Sequence, residues 1–143
     1  FSRENITVLF INNAVYGMTG GQMAPTTLLG QTSTTSPPGR NAILDGHPIR
    51  MSEILANLEG TAYIERVAVN TAQNILRAKK AVKKAFQYQI DGAGFNMIEV
   101  LSQCPTNWKM NTVDACRWVD EVMSKTFPIG VIKDTGKGRK DAD

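Results

Sequence analysis

The chain has 143 residues, a formal net charge of +3 and a pI near 9.0. This length fits one domain with a single core and excludes a complete large oxidoreductase. The basic residues form no stripe, which argues against a nucleic-acid partner, and the longest apolar run is far below the ~20 residues that span a bilayer. Two cysteines are too few for a disulfide framework, so we expect a soluble, cytoplasmic protein with no membrane partner.

The first predicted element is a strand at residues 6–11, where a continuous β-branched and apolar run is typical of a parallel strand covered on both faces. From Asn12 to about Pro48, glycine, proline, serine and threonine dominate, so we predict a long loop. Its first half contains NNAVYGMTGGQ, whose composition is too specific for a linker.

Two helices are predicted next, separated by the β-rich segment TAYIERVAV. The first ends at Gly60 and has an apolar face at helical spacing, formed by Met51, Ile54, Leu55 and Leu58. Asn70 and Gln73 form a variant capping box that opens the second helix, which runs to about Gln89. Its expected inner side contains Ala72, Ile75, Leu76, Lys79, Val82 and Phe86.

A third strand, GFNMIEVLSQ, precedes a break at CPTNWKM. A final amphipathic helix is predicted from the spacing of Val113, Cys116, Val119, Met123 and Phe127, and a short extended piece follows it. Strands that alternate with helices predict an α/β fold with a mostly parallel sheet and flanking helices. Ligands of such sheets bind beyond the carboxyl ends of the strands, so we expect Asn12–Gln22 and Cys104 at the same edge.

The Asn-Asn and glycine-rich stretch is neither a phosphate-binding P-loop nor a dinucleotide fingerprint, because it lacks their spacing and the P-loop lysine. The side-chain oxygen of Asn13 and the carbonyl of Val15 could both face one hard cation such as Mg²⁺. The Gly17–Gly21 turn could offer backbone N–H groups and the Thr19 hydroxyl to a phosphate. A pair of ordinary turns explains the same residues equally well.

Two separated motifs resemble the thiamine diphosphate-binding β subunits of the 2-oxoacid:ferredoxin oxidoreductases, most like those that act on 2-oxoglutarate. The first motif is Asn12, Asn13 and then YGMTGGQ at residues 16–22; it is followed by APT at residues 24–26, where the family usually has Ser-Pro-Thr. The second comprises GF, IEVL and SQCPT within residues 94–106. The resemblance covers most of the chain and implies a thiamine diphosphate-binding fold.

Carried over by position, the resemblance implies that Asn13 and Val15 bind Mg²⁺ and that Gly17, Met18 and Thr19 line the diphosphate and the thiazolium. The cofactor carries the reaction chemistry, and no catalytic side chain is assigned to this chain. Core packing is the alternative interpretation of Met18, and we interpret the neighbouring Tyr16 as a packed aromatic residue rather than an acid or base.

Cys104, in the QCPT sequence, resembles the fourth thiolate of a [4Fe–4S] cluster, whose other three cysteines lie nearer the N-terminus in the family. Trp108 could shield such a cluster. We interpret Cys116 as a core residue and His47 as part of a solvated loop. Three cations could bind a substrate carboxylate or coenzyme A: Arg40, Arg50 and Lys109. Nothing in the sequence distinguishes them from the other surface cations.

The implied function is the oxidative decarboxylation of a 2-oxo acid to an acyl-coenzyme A with electron transfer to ferredoxin; 2-oxoglutarate is favoured and branched-chain 2-oxo acids come next. An α subunit is an implied partner, because it supplies the carboxylate that activates the aminopyrimidine, and γ and δ subunits are further candidates. The alternatives are a non-redox thiamine diphosphate enzyme and a non-catalytic module that docks an α subunit.

The family's Gly-Asp-Gly, whose aspartate completes the magnesium site, precedes the Asn pair and does not occur in this sequence; nor do three of the four cluster cysteines. We therefore expect residues 1–134 to be the C-terminal part of a thiamine diphosphate-binding domain, as a fragment or a split-gene product, and residues 135–143 to be a polar tail. Such a chain alone is expected to be inactive and to bind the cofactor weakly.

Overall fold

The computed structural model describes residues 4–136, so most of the predicted polar tail lies outside the described residues. The strands are β1 (Thr7–Asn12), β2 (Val15–Tyr16), β3 (Gln22–Met23), β4 (Thr61–Ala68), β5 (Phe95–Leu101) and β6 (Gly130–Asp134). The helices are α1 (Met51–Ala56), α2 (Ala72–Ile90), α3 (Pro105–Trp108), α4 (Thr112–Trp118) and α5 (Ser124–Thr126), with a π-helical turn at Val119–Met123 between α4 and α5. In this part of the chain, no helix is both long and apolar enough to cross a bilayer.

Four strands form one sheet in the order β1-β5-β4-β6, and β2 and β3 form a small separate hairpin. β1, β5 and β4 are parallel to one another, whereas β6 pairs with β4 in the antiparallel direction. The predicted α/β fold with a mostly parallel sheet is therefore confirmed. Asn12 and Ala68 are both in register with Leu101, so the three parallel strands end at one edge of the sheet.

β1 is an edge strand, which the sequence did not predict. Within residues 4–136 its ladder is formed with β5 alone, and Val8, Leu9 and Ile11 are 37–57% exposed. The prediction of a strand covered on both faces is wrong for these residues. A continuous apolar run indicates burial, but it does not say whether the covering elements belong to the same stretch of chain.

α2 packs on the sheet through small side chains. Its buried residues are Ala78, Ala81 and Ala85. The bulky residues predicted to face inward are mostly exposed: Ile75, Leu76 and Phe86 are 40–60% exposed, Ala72 and Lys79 are also exposed, and Val82 is half-buried. The inner face is therefore rotated from the predicted one, because alanine lets the helix backbone approach the sheet closely.

The N-cap of α2 is Thr71, one residue after the predicted cap. Its hydroxyl accepts a hydrogen bond from the Asn74 N–H at 3.1 Å. The side chain of Asn70 instead donates to the carbonyl of Cys116 at 3.0 Å, which joins the start of α2 to α4. Asparagine and threonine both favour the N-cap position. Because the side chain of Asn70 makes a tertiary contact with α4, Thr71 becomes the cap.

The apolar faces of the other helices are only partly as predicted. In α1, Ser52 is fully buried and Ile54 is exposed, so the predicted position of Ile54 on the inner face is wrong. Of the face predicted for the last helical segment, Val113 is exposed and Cys116 is half-buried. The remaining members are confirmed as core residues, packed with Ala14 and Leu101: Val119, Met123 and Phe127.

The long loop between β1 and α1 is organised around Arg40, which is 7% exposed. Its guanidinium makes six hydrogen-bond contacts of 2.8–3.1 Å, all of them to backbone carbonyls. The acceptors are Ala24, Pro25, Thr27, Asp45, Gly46 and His47. Arg40 is therefore occupied by the loop itself, which removes it from the three cations that could meet a substrate carboxylate or coenzyme A.

Candidate functional site

The chain leaves β1 through two turns in which a side chain caps the backbone. Asn12 Oδ1 accepts from the Ala14 N–H at 3.0 Å, and Asn13 Oδ1 accepts from the Val15 N–H at 3.3 Å. Ala14 has a φ of 57°, and its carbonyl accepts from the Thr27 hydroxyl at 2.6 Å. The Asn13 side chain is consequently folded back towards Val15, which brings together the two residues predicted to bind Mg²⁺.

The glycine-rich turn that follows is closed by hydrogen bonds among its own residues. The Gly21 N–H donates to the Tyr16 carbonyl at 2.9 Å, and the Thr19 hydroxyl donates to the Gln22 side chain at 2.7 Å. Met18 is fully exposed and Tyr16 is half-exposed. The alternative interpretation of Met18 as a core residue, and that of Tyr16 as a packed aromatic, are therefore wrong for the described residues.

The second motif lies directly against the first, because β5 ends beside β1. α3 begins after Cys104, and its Asn107 donates both to the Gly17 carbonyl at 3.1 Å and to Cys104 Sγ at 3.2 Å. The indole N–H of Trp108 donates to the Asn13 carbonyl at 3.1 Å. The prediction that the two motifs share one edge of the sheet is confirmed, and α3 is the element that joins them.

Three polar side chains converge on Gly17. A Cβ atom at this position would lie 3.2 Å from Asn13 Nδ2, 3.3 Å from Asn107 Nδ2 and 3.3 Å from Cys104 Sγ. An amide oxygen, a backbone carbonyl and bare glycine backbone suit a Mg²⁺ ion that also binds phosphate, and a thiolate suits an iron–sulfur cluster. In the described residues no three His, Cys, Asp or Glu side chains lie close enough to hold a metal ion.

Gly21 has no room for a larger residue. Its φ is +81°, and a Cβ atom would lie 2.7 Å from Asn107 Oδ1. We expect Gly21→Ala to push Asn107 away from Gly17 and to lower the free energy of unfolding by about 1–3 kcal/mol. Urea denaturation measures this loss of stability. Gly46→Ala is the control, because it has a similar φ and open space around it. Equal losses in the two variants would contradict the contact with Asn107.

A cavity of about 230 Å³ opens between the end of β1 and the segment at residues 24–26. Asn13, Val15 and Tyr16 line it on one side and Pro25 and Thr26 on the other. A separate cavity of about 490 Å³ is lined by His47, Arg50, Lys125 and apolar residues of the neighbouring loop and helix. The first cavity is therefore lined by residues of the first sequence motif, and the second is lined by the exposed His47.

Behind the loop, a buried ion pair connects β4, β5 and α1. Arg66 Nε donates to Glu99 at 2.8 Å, and its two terminal nitrogens donate to Glu53 at 3.0 and 2.7 Å. Although burial alone would raise the pKa of Glu53, the hydrogen bond and charge of Arg66 lower it. Burial alone would lower the pKa of Arg66, but the two carboxylates raise it. Glu53 and Arg66 are consequently held in their charged forms.

Sequence reasoning missed Glu99, Arg66 and Asn107. Glu99 and Arg66 could have been found as charged residues inside otherwise apolar strands, since such charges need partners. Asn107 lies three residues after Cys104, which is the spacing that places two side chains on the same side of a helical turn.

The family model described as thiamine pyrophosphate enzyme, C-terminal TPP binding domain, matches residues 1–100. The ketoisovalerate oxidoreductase subunit VorA of Methanothermobacter thermautotrophicus is 47% identical over 131 residues, which are 92% of this chain and 28% of VorA. The 2-oxoglutarate synthase subunit KorB of Methanothermobacter marburgensis is 42% identical over 107 residues, which are 73% of this chain and 33% of KorB.

The 2-oxoacid:ferredoxin oxidoreductase subunit beta of Saccharolobus solfataricus is 37% identical over 102 residues, which are 71% of this chain and 30% of that subunit. The chain thus spans about a third or less of each of these three relatives. The resemblance to this group of oxidoreductase subunits is confirmed. Because the family model covers most of the chain, the protein belongs to the thiamine pyrophosphate enzymes, as part of their C-terminal thiamine pyrophosphate-binding domain.

Proposed function

We propose that the chain is the cofactor-binding part of a β-type subunit of a 2-oxoacid:ferredoxin oxidoreductase. The parent enzyme decarboxylates a 2-oxo acid, transfers the acyl group to coenzyme A and passes the electrons to ferredoxin. The observation that carries this proposal is the contact between the two motifs, where Asn13 and Cys104 both lie next to Gly17. The names of the similar subunits support it.

In this proposal the side chain of Asn13 and the carbonyl of Val15 hold Mg²⁺, while Gly17, Met18 and Thr19 border the diphosphate and the thiazolium. Thiamine diphosphate, when bound, supplies the carbanion chemistry. Cys104 contributes one thiolate to a [4Fe–4S] cluster. The full exposure of Met18 supports a role for this side chain towards the cofactor or a partner subunit, since it packs in no core here.

For the substrate we propose a branched-chain 2-oxo acid, ketoisovalerate, with 2-oxoglutarate as the second candidate. The greater identity and coverage with VorA than with KorB favour this order, so the preference for 2-oxoglutarate that the sequence resemblance implied is not confirmed. We further propose that residues 1–134 belong to one cofactor domain of a cytoplasmic assembly with an α subunit and γ or δ subunits. Rates of coenzyme A-dependent ferredoxin reduction with the two acids test the order directly.

We expect Asn13→Ala in the full-length subunit, assembled with its partners, to weaken the binding of thiamine diphosphate and Mg²⁺. Losing a metal ligand should raise the dissociation constant by at least about 10-fold, the loss typical even of an outer-shell partner. Isothermal titration calorimetry measures it. Asn41→Ala is the matched control, because Asn41 also caps a turn, through bonds to the Ile43 and Leu44 N–H groups, but stands in an exposed loop. Equal affinities in the two variants would refute the proposed metal site.

Measurements on the same assembled enzyme distinguish the proposed function from two alternatives. A non-redox thiamine diphosphate enzyme binds the cofactor but contains no iron, so iron and sulfide analysis distinguishes it. A non-catalytic docking module gives no heat of cofactor binding, either with or without the α subunit.

A further inference from the structure

One chain of hydrogen bonds runs from the buried ion pair to the loop that contains Asn13. Glu99 Oε1 accepts from Asn12 Nδ2 at 2.7 Å. The other carboxylate oxygen, Oε2, accepts from Arg66 Nε at 2.8 Å and from the Ser52 hydroxyl. Asn12, Ser52, Arg66 and Glu99 are each at most 1% exposed. The end of β1 is therefore attached to a charged group that is fully enclosed by protein.

The charge of Glu99 determines how the Asn12 amide is oriented. A carboxylate only accepts hydrogen bonds, so it binds the Nδ2 end of the amide and turns the Oδ1 end away. That oxygen is the one that accepts from the Ala14 N–H. If the amide were reversed, two oxygens would face each other at Glu99 and two N–H donors would face each other at Ala14.

The orientation of Asn12 in turn supports an unfavourable backbone conformation. Ala14 is buried and has a φ of 57°, a left-handed conformation that residues with a Cβ atom rarely adopt. It is held on both sides, by Asn12 at its N–H and by Thr27 at its carbonyl. Ala14 is the single residue between Asn13 and Val15, so its conformation sets the direction of both.

We propose that Glu99 is a positioning residue for the magnesium and diphosphate site, acting through Asn12 and the left-handed Ala14. This inference rests on the proposed function, because it assumes that Asn13 and Val15 bind the ion. Hydrogen bonds from Arg66 and Ser52 hold the Glu99 carboxylate in place. The Glu99 carboxylate lies behind the loop and bonds to Asn12, Ser52 and Arg66, so it would act through Asn12 and not directly on the ion or the cofactor. It is an outer-shell partner of the kind whose loss lowers metal affinity about 10–100-fold.

A double-mutant cycle in the full-length, assembled subunit tests the proposal. Glu99→Gln replaces one acceptor oxygen by a donor, so it no longer forces one orientation of the Asn12 amide; Asn12→Ala removes the link altogether. We expect each variant to raise the dissociation constant of thiamine diphosphate with Mg²⁺ by about 10-fold or more. The double variant should bind no more weakly than Asn12→Ala alone. Effects of the two changes that multiply would overturn the proposal.

Glu53→Gln is the matched control. Glu53 binds the terminal nitrogens of the same Arg66, at 2.7 and 3.0 Å, but makes no bond to Asn12. It should lower the melting temperature while leaving cofactor affinity within about twofold of the wild type. If Glu53→Gln weakens binding as much as Glu99→Gln does, the effect is general destabilisation and the positioning role is wrong. Should Glu99→Gln not fold, Arg66→Met with Glu99→Gln removes both charges together and presents the same neutral amide to Asn12.

A measurement without cofactor separates this inference from the proposed function. Hydrogen exchange of the Ala14 and Val15 amides, followed by mass spectrometry in the apo assembly, should be faster in Glu99→Gln than in Glu53→Gln. Equal exchange in the two variants overturns the positioning role. An unchanged cofactor affinity in Asn13→Ala, with the exchange difference still present, instead refutes the metal site while the link from Glu99 to the loop stands.

Discussion

Replacing Arg66 by methionine is expected to lower the free energy of unfolding by about 3–5 kcal/mol, since it leaves the Glu99 carboxylate buried without its cation. Glu99 would keep only the Asn12 and Ser52 donors, and Glu53, which is 34% exposed at its side chain, would turn to solvent. Urea denaturation followed by circular dichroism measures the loss. The effect is large because desolvation of an unpaired carboxylate costs more than its two neutral hydrogen bonds return.

Two further variants make the interpretation of Arg66→Met specific. Arg117→Met removes an exposed pair with Asp114 at 3.4 Å and should change stability by less than about 0.5 kcal/mol. Adding Glu99→Gln to Arg66→Met should recover part of the loss, because the uncompensated charge is then gone. A loss for Arg66→Met as small as that for Arg117→Met would show that the buried pair contributes nothing.

The second large effect is expected for Arg40→Lys. The guanidinium of Arg40 donates to six backbone carbonyls through its planar set of N–H groups. A lysine ammonium has only three N–H donors and lacks this planar geometry. Several carbonyls would lose their partner at about 1–3 kcal/mol each when they stay buried, so we expect a loss of about 3 kcal/mol. Urea denaturation gives this value, and limited proteolysis shows whether cleavage begins within residues 24–47.

Arg50→Lys is the control for that experiment. Arg50 lies in the same loop, is exposed, and donates one hydrogen bond to the Thr126 carbonyl at 2.8 Å. A lysine can replace such a contact, so its effect should stay within about 0.5 kcal/mol. If Arg40→Lys proves as mild as Arg50→Lys, the loop is held by something other than the guanidinium.

The strands and the shared edge of the sheet could be predicted because they depend on local patterns. Apolar runs identified β1, β4 and β5, and the rule that parallel strands end together placed Cys104 beside the loop after Asn12. The hydrogen bonds between the two motifs could not be predicted in this way. Asn107 and Trp108 join the two motifs, and nothing in a single sequence marks an asparagine as the partner of a carbonyl 90 residues earlier.

Other features could not be predicted because they depend on which groups of the folded protein lie next to a side chain. The inner face of α2 consists of alanines, while larger residues such as Leu76 and Phe86 point outward; a hydrophobicity pattern gives more weight to the larger side chains and so rotates the face. Arg40 illustrates the same limit for charge. An arginine in a polar loop is typical of a solvated surface, and only the fold shows that six carbonyls surround it.

The pairing of β1 has a consequence for how the protein folds. Thr7 is in register with Asn96, so more than half of the chain lies between the two strands that pair. Closing so long a loop is costly in entropy, and contacts of this kind form slowly and late. The bond between Asn12 and Glu99 belongs to that last step. A short synthetic peptide spanning the Asn-Asn and glycine-rich stretch would therefore lack the shape of the site, which exists only once β1 has paired with β5.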